Sequence, residues 1–236
     1  DSWQFIIDDL TFAAEHLPES WGGTKRFTKA TAYALLTRVG LYAERWDVVI
    51  DAAEKCKELG CALSADYEKV FTNKDNPEHI FSVDFLSNKL THRADVFFRP
   101  IGDSPYHNNS TIFGAICPTS ELVDAYEMAD GTDFSWEEHG ADPYTGREPR
   151  FYASILYNGA RWEGRTIETF QGGVDGIGKF QTNGTAGTTT TGYYFKKYIT
   201  ERDDAWETNG SDHFAPFIRY AEVLLNKAEA LAEQNW

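Results

Sequence analysis

The run Gly173-Val-Asp-Gly-Ile-Gly178-Lys179-Phe180 follows a phosphate-binding loop up to its last residue. Such a loop cradles phosphate with backbone N–H groups and holds magnesium with a closing Ser or Thr. Here Phe180 stands where that hydroxyl belongs, and Gln181-Thr-Asn-Gly is a poor helix start. The preceding Arg165-Thr-Ile-Glu-Thr-Phe-Gln171 is a poor buried strand. The spacing therefore predicts a glycine-supported turn and no nucleotide site. His16, His79, His92, His107, His139 and His213 form no HExxH or Cys/His pattern that would make two of them metal ligands. No Gly-x-Ser-x-Gly nucleophile elbow occurs. Carboxylates are so abundant that choosing one hydrolytic pair has no specificity. Asp133, Glu137, Glu138 and Asp142 read as a solvated acidic loop. Triplets at Asn108, Asn109, Asn183 and Asn209 fit the glycosylation pattern, which matters only in a eukaryotic secretory setting. No catalytic residue, metal ligand or cofactor is assigned.

What remains is aromatic. Tyr106, Trp136, Tyr144, Trp162, Phe170 and Trp206 fall in predicted loops among Asn, Gly, His and Arg. An aromatic face contacts the C–H face of a sugar ring while nearby amides and guanidinium groups bind its hydroxyls. Some of three loops are expected to converge on one face as a platform: Tyr106 with His107 and Asn108, Trp162 at the end of a strand, and Trp206 beside Asp203 and Asp204. The competing reading of Trp162 is that it is buried as packing. Trp3, Trp21 and Trp46 sit on or beside helices and are expected to pack into the scaffold.

The chain that must position these residues has 236 residues, enough for one large domain or two small ones with a real core. Its 22 basic and 37 acidic residues give a formal charge of −15, which argues against nucleic acid and anionic membrane as partners. With 42% hydrophobic residues it is not broadly disordered. No apolar run reaches the length of a membrane span. The chain opens at Asp1 without Met and stops at Trp236 in helical phase, so it reads as a piece of a longer protein. Cys56, Cys61 and Cys117 lack CxxC spacing and are expected to be inert, mostly buried thiols.

Trp3, Ile6, Ile7, Leu10, Ala13, Ala14 and Leu17 repeat at three and four, which predicts a helix that Pro18 ends. A second helix starts at Thr28 with the stripe Ala32, Leu35, Leu36, Val39 and Tyr42. A third carries Val49, Ala52, Ala53, Cys56 and Leu59 and stops at Gly60. Thr28 to Gly60 thus has the length of a tetratricopeptide αα-hairpin. Ala32–Glu44 can be laid over Ala221–Glu233 with five of thirteen positions identical, and Arg38 over Lys227. Between these repeats His79–Phe85 and Arg150–Tyr157 read as strands and Thr119–Gly131 as a short helix. The expected organisation is a single domain over 1–236, truncated at both ends, with a helical repeat part at 1–60, a loop-rich insertion at 61–211, and the start of a further repeat at 212–236. The fold class is mainly α with minor β.

Five blocks in the second half resemble the SusD/RagB family. They are Pro118-Thr-Ser-Glu-Leu-Val-Asp-Ala-Tyr-Glu-Met-Ala-Asp-Gly131, Glu148-Pro-Arg-Phe-Tyr-Ala-Ser-Ile-Leu-Tyr-Asn-Gly159 and Trp162-x-Gly164-Arg-Thr-Ile-Glu168 with Gly172-Gly-x-Asp-Gly176. Thr191-Gly-Tyr-Tyr-Phe-Lys-Lys197 and the Arg219-Tyr-Ala-Glu helix complete the set. The resemblance implies a mostly helical fold of tetratricopeptide-like units and a surface glycan-binding lipoprotein. It further implies a lipid anchor in the outer membrane, a SusC-like TonB-dependent transporter as partner, and no catalysis. A RagB-like peptide receptor is the alternative within the family. A polysaccharide hydrolase and a tetratricopeptide scaffold for protein partners are the readings from other classes. The blocks look like scaffold motifs, so no binding residue transfers from them.

Overall fold

The computed structural model describes residues 1–23, 25–87, 89–106, 114, 116–176, 188–199, 201 and 210–234. It is mostly helical with short strands. In chain order come helices α1 (Ser2–His16), α2 (Lys29–Tyr42), α3 (Trp46–Glu58) and α4 (Lys69–Thr72), then strand β1 (His79–Val83). Next are α5 (Ala94–Phe98), a 3-10 turn at Ile101–Tyr106, α6 (Ser120–Asp124), α7 (Trp136–His139) and α8 (Pro149–Ser154). The short strands β2 (Ile155–Leu156), β3 (Arg161–Trp162), β4 (Arg165–Thr166) and β5 (Tyr194–Phe195) follow. Strand β6 (Ala215–Arg219) runs directly into the last helix, α9 (Tyr220–Gln234). Two compact units result: Asp1–Asp84 with Phe214–Trp236, and Phe85–His213.

The first unit is a helix stack. Asp1 caps α1 by accepting from the Trp3 N–H, and Thr28 caps α2 in a reciprocal capping box with Thr31. Helix α2 packs against α1, α3 and α9, so it must bury more than one face. It does so with Thr31, Ala32, Ala34, Leu36, Thr37 and Gly40, small enough for close approach. That leaves Tyr42, expected on the buried stripe, 73% exposed. Helix α3 buries Val49, Ala52, Ala53 and Cys56, the stripe its periodicity predicts. Trp3 and Trp21, expected to pack inside, are each about two-fifths exposed. Strand β1 pairs antiparallel with β6, from His79 opposite Arg219 to Val83 opposite Ala215.

The internal repeat has a physical counterpart. Thr37 and Asn226 are equivalent positions, and the Asn226 side-chain amide donates to the Thr37 hydroxyl at 3.1 Å. The next pair of equivalents, Arg38 and Lys227, each reach an acid on a neighbouring helix: Glu222 on α9 and Glu54 on α3.

Two expectations for the second unit fail for local reasons. Arg150–Tyr157 is helix α8 followed by two strand residues. Pro149 occupies the first helical turn, and Phe151, Ser154 and Ile155 bury one face at spacing three and four. Thr119 does cap a helix, but α6 ends at Asp124 rather than continuing to Gly131. The buried Arg147 guanidinium donates to the Val123 and Tyr126 carbonyls at 2.7 Å each, taking acceptors that a longer helix would use.

Candidate functional site

The second unit is held at its centre by charge. Arg99, fully buried, donates to Asp95 at 3.0 Å, Asp103 at 3.4 Å and Glu163 at 2.6 Å. Arg165 donates from Nε and Nη2 to Asp103 Oδ1 at 3.2 and 2.5 Å, and in a two-oxygen fork to Asp175 at 2.7 and 2.8 Å. Asp175 also accepts the Gly102 and Glu168 backbone N–H groups, each at 2.9 Å. Its own carbonyl receives the Tyr194 hydroxyl at 2.9 Å. Burial pushes the Asp103 carboxyl up, while Arg165, the Trp162 N–H and Arg99 pull it down. Such a network is tolerable out of water only because its acceptors are met by charge-assisted donors.

Trp162 belongs to this network. Its ring is 2% exposed, its indole N–H donates to Asp103 Oδ2 at 3.0 Å, and the Arg99 guanidinium lies 5.5 Å from the ring centre. Leu156, Ala160, Ile167, Tyr194 and Ile199 complete its surroundings. No face is left for a sugar, so the stacking role expected for Trp162 gives way to the packing one. The reason is the hairpin β3–β4, which turns through Glu163 (φ 47°) and Gly164 (φ 74°). Two positive φ values make a tight primed turn, which puts Trp162 inward and Arg161 outward.

The hairpin and the glycine-rich segment meet the 3-10 turn at close quarters. A Cβ on Gly102 would lie 2.4 Å from Asp175 Oδ1 and 2.8 Å from Val174, and one on Gly176 would lie 2.1 Å from the Phe170 carbonyl oxygen. Glycine at both places lets Asp175 reach under the turn. The phosphate-loop-like run is therefore, as far as it is described, a turn whose aspartate points into the protein. Its remainder from 177 on lies outside the described residues.

The network clamps the base of the loop that carries Tyr106. That residue ends the 3-10 turn. His107, Asn108, Trp206 and the asparagines of the glycosylation triplets, Asn109, Asn183 and Asn209 with Asn108, lie outside the described residues, as does the Tyr106 side chain. Arg99, Asp103 and Gly102 were missed in the sequence. The signal was the spacing Asp95, Arg99, Asp103, which places both acids within one helical turn of the arginine.

Among the described residues of this unit, two large rings face solvent: Trp136 at 51% and Phe170 at 54% exposure. Trp136 is the better held. Its indole N–H donates to Asp124 Oδ2 at 2.9 Å, and Ser135 caps its helical turn. Phe134 meets it edge-on at 5.3 Å, itself stacked on His139 and covered by the Arg147 guanidinium at 4.0 Å. The acidic residues around it, Asp133, Glu137, Glu138 and Asp142, are exposed. No cluster of three or more His, Cys, Asp or Glu among the described residues could hold a metal ion.

Comparison with known proteins gives these motifs a family. The SusD family profile matches residues 77–235, two-thirds of the chain, and the chain belongs to that family. A SusD-like protein from Bacteroides fragilis superposes with TM-score 0.81 at 31% identity, over 99% of this chain and 49% of that one. A SusD-like carbohydrate binding protein from the same species gives 0.82 at 28%, over 99% and 46%. Surface glycan-binding protein A from Bacteroides thetaiotaomicron shares the fold at TM-score 0.65 and 17% identity, over 99% and 50%. The chain thus spans about half the length of these structures. No curated protein sequence matches it.

Proposed function

We propose that this chain is part of a non-catalytic, cell-surface receptor that binds oligo- or polysaccharide and passes it to a SusC-like TonB-dependent transporter. On this reading the protein sits on the extracellular face of the outer membrane through an N-terminal lipid anchor. The helix stack serves as a tetratricopeptide-like scaffold. The observation that carries the glycan reading is Trp136: half its ring surface faces water, yet its edge is fixed by Asp124 and its base by Phe134. A pre-ordered aromatic face costs little entropy on binding, and nearby carboxylates can receive sugar hydroxyls. Tyr106, His107, Asn108 and Trp206 remain the proposed further contacts. Family kinship with a SusD-like carbohydrate binding protein at 28% identity supports the same reading.

The hydrolase alternative draws no support from the two buried aspartates that Arg165 joins. Asp103 and Asp175 are bridged by Arg165 and closed to solvent, where neither could reach a glycosidic bond. The test is a panel of polysaccharides in affinity gels, run with wild type and Trp136→Ala. A loss of about tenfold to a hundredfold in dissociation constant is expected for a central stacking ring, with the thermal midpoint unchanged. Unaltered retardation on every glycan that wild type binds would remove Trp136 from the site. New reducing ends after incubation would overturn the non-catalytic reading.

A further inference from the structure

Helix α3 ends in a Schellman motif. The Gly60 N–H bonds the Lys57 carbonyl at 3.0 Å and the Cys61 N–H bonds the Cys56 carbonyl at 3.1 Å, with Gly60 at φ 84°. In this motif the residue after the glycine packs against the residue five before it. Here both are cysteines. Cys56 lies in the core with Ala34, Ala53, Ile218, Tyr220 and Val223, and Cys61 packs partly exposed against the same cluster. Both side chains pack against this one cluster, and Cys56 Sγ also approaches the Ala30 carbonyl at 3.8 Å. A direct backbone bond between the two residues holds their Cα atoms close, as a disulfide requires.

We propose that Cys56 and Cys61 form a redox pair that closes to a disulfide by exchange with a small-molecule disulfide such as oxidised glutathione. The Cys61 thiol loses its proton, and its thiolate attacks one glutathione sulfur. That S–S bond breaks, and a glutathione thiolate leaves and takes up a proton. Cys56 then attacks the Cys61 sulfur of the mixed disulfide, passing its proton to the second departing glutathione. The protein loses two electrons and two hydrogens, and one oxidised glutathione becomes two reduced ones. The roles follow from position. Cys61 has the exposure to attack first, and hydrogen bonding from Cys56 holds its thiol below the ordinary range. Cys56 is pushed up by its bond to Cys61 and by burial, so it acts only once its partner is activated. The covalent ring is short, so closure stabilises the end of α3 by an amount that raises the thermal midpoint by a few degrees, on the order of that expected for small loops.

The experiment treats the whole chain with oxidised glutathione and follows it by intact mass, peptide mapping and thermal melting. The expected wild-type product has lost two hydrogens, carries no glutathione at either cysteine, and maps to a Cys56–Cys61 cross-link. Cys56→Ser should stop at a glutathione adduct on Cys61, and Cys117→Ser should behave as wild type. A stable adduct on Cys61 of the wild type, a cross-link involving Cys117, or no reaction at Cys61 would each overturn the proposal. If Cys56→Ser fails to fold, Cys61→Ser decides: it must leave Cys56 unreacted.

Discussion

An arginine–carboxylate fork from the helical unit and one from the inserted unit share their geometry but not their surroundings. In the helical unit Arg38 donates to Glu222 at 2.6 and 2.8 Å with both side chains about one-third exposed. In the inserted unit Arg165 makes the same kind of fork to Asp175, whose side chain is fully buried, and adds Asp103. Geometry is alike; solvent is not. The helical unit could lose its fork and still be held by the apolar contacts of α2, α3 and α9. Among the described residues, the inserted unit has strands of two residues and helices of four to six, too short to be stable by their own hydrogen bonds. There the buried charges tie the 3-10 turn, the hairpin and the glycine-rich segment to one point.

The sharpest way to break this contrast is Arg165→Met. It leaves Asp103 and Asp175 in the interior without the guanidinium that joins them. A loss of about 3–5 kcal/mol is expected, the cost typical of removing one partner from a buried pair. Urea denaturation followed by amide hydrogen exchange, read separately over the two units, would measure it. Because the chain forms two compact units, the two readings are expected to separate, with the transition of the inserted unit moving to lower urea. Coincident and unshifted transitions would mean that the network contributes no more than a surface pair.

Trp162 sharpens the same point at intermediate size. Trp162→Ala removes a large buried ring and is expected to cost about 3–5 kcal/mol. Trp162→Phe keeps most of the apolar body and loses only the N–H to Asp103, for about 1–3 kcal/mol. If Trp162→Phe is as damaging as Trp162→Ala, the hydrogen bond dominates the site. If both leave stability untouched while glycan affinity falls, the ring is a platform after all.

These residues also mark how far the sequence could be read. The helices of the first unit were legible because their cause is local: Val49, Ala52, Ala53 and Cys56 announce a buried face by spacing alone. The family blocks were legible as text, but their roles were not. Trp162 and Arg165 are joined to Asp103, and Asp175 to Gly102, across about sixty to seventy positions, and no local period records such a partner. The same limit explains α6, which stops early because Arg147 takes its carbonyls from outside the helix. Exposure was the least legible quantity. Trp136 and Trp162 sit in similar polar loop text, yet one faces water and the other is closed in, since only the hairpin turn decides which side of the chain a ring leaves by.

The smallest effect is the most discriminating. Arg38→Met should cost under about 1 kcal/mol, because an ion pair open to water gains little Coulomb energy and loses side-chain freedom. The methionine also keeps part of the apolar stem that covers Phe217, over which the guanidinium now lies at 5.7 Å. Glu222→Gln should cost as little, and the double variant should show a coupling of only a few tenths of a kcal/mol. What loss there is should shrink further as salt rises from low to molar concentration, since screening reaches an exposed pair. The Arg165 variant should keep its full deficit over the same salt range, because ions do not enter the site where its carboxylates lie. A large, salt-insensitive coupling between Arg38 and Glu222 would place that pair in the same regime as the buried network, and would show that distance and fork geometry, rather than exclusion of water, set the strength of both.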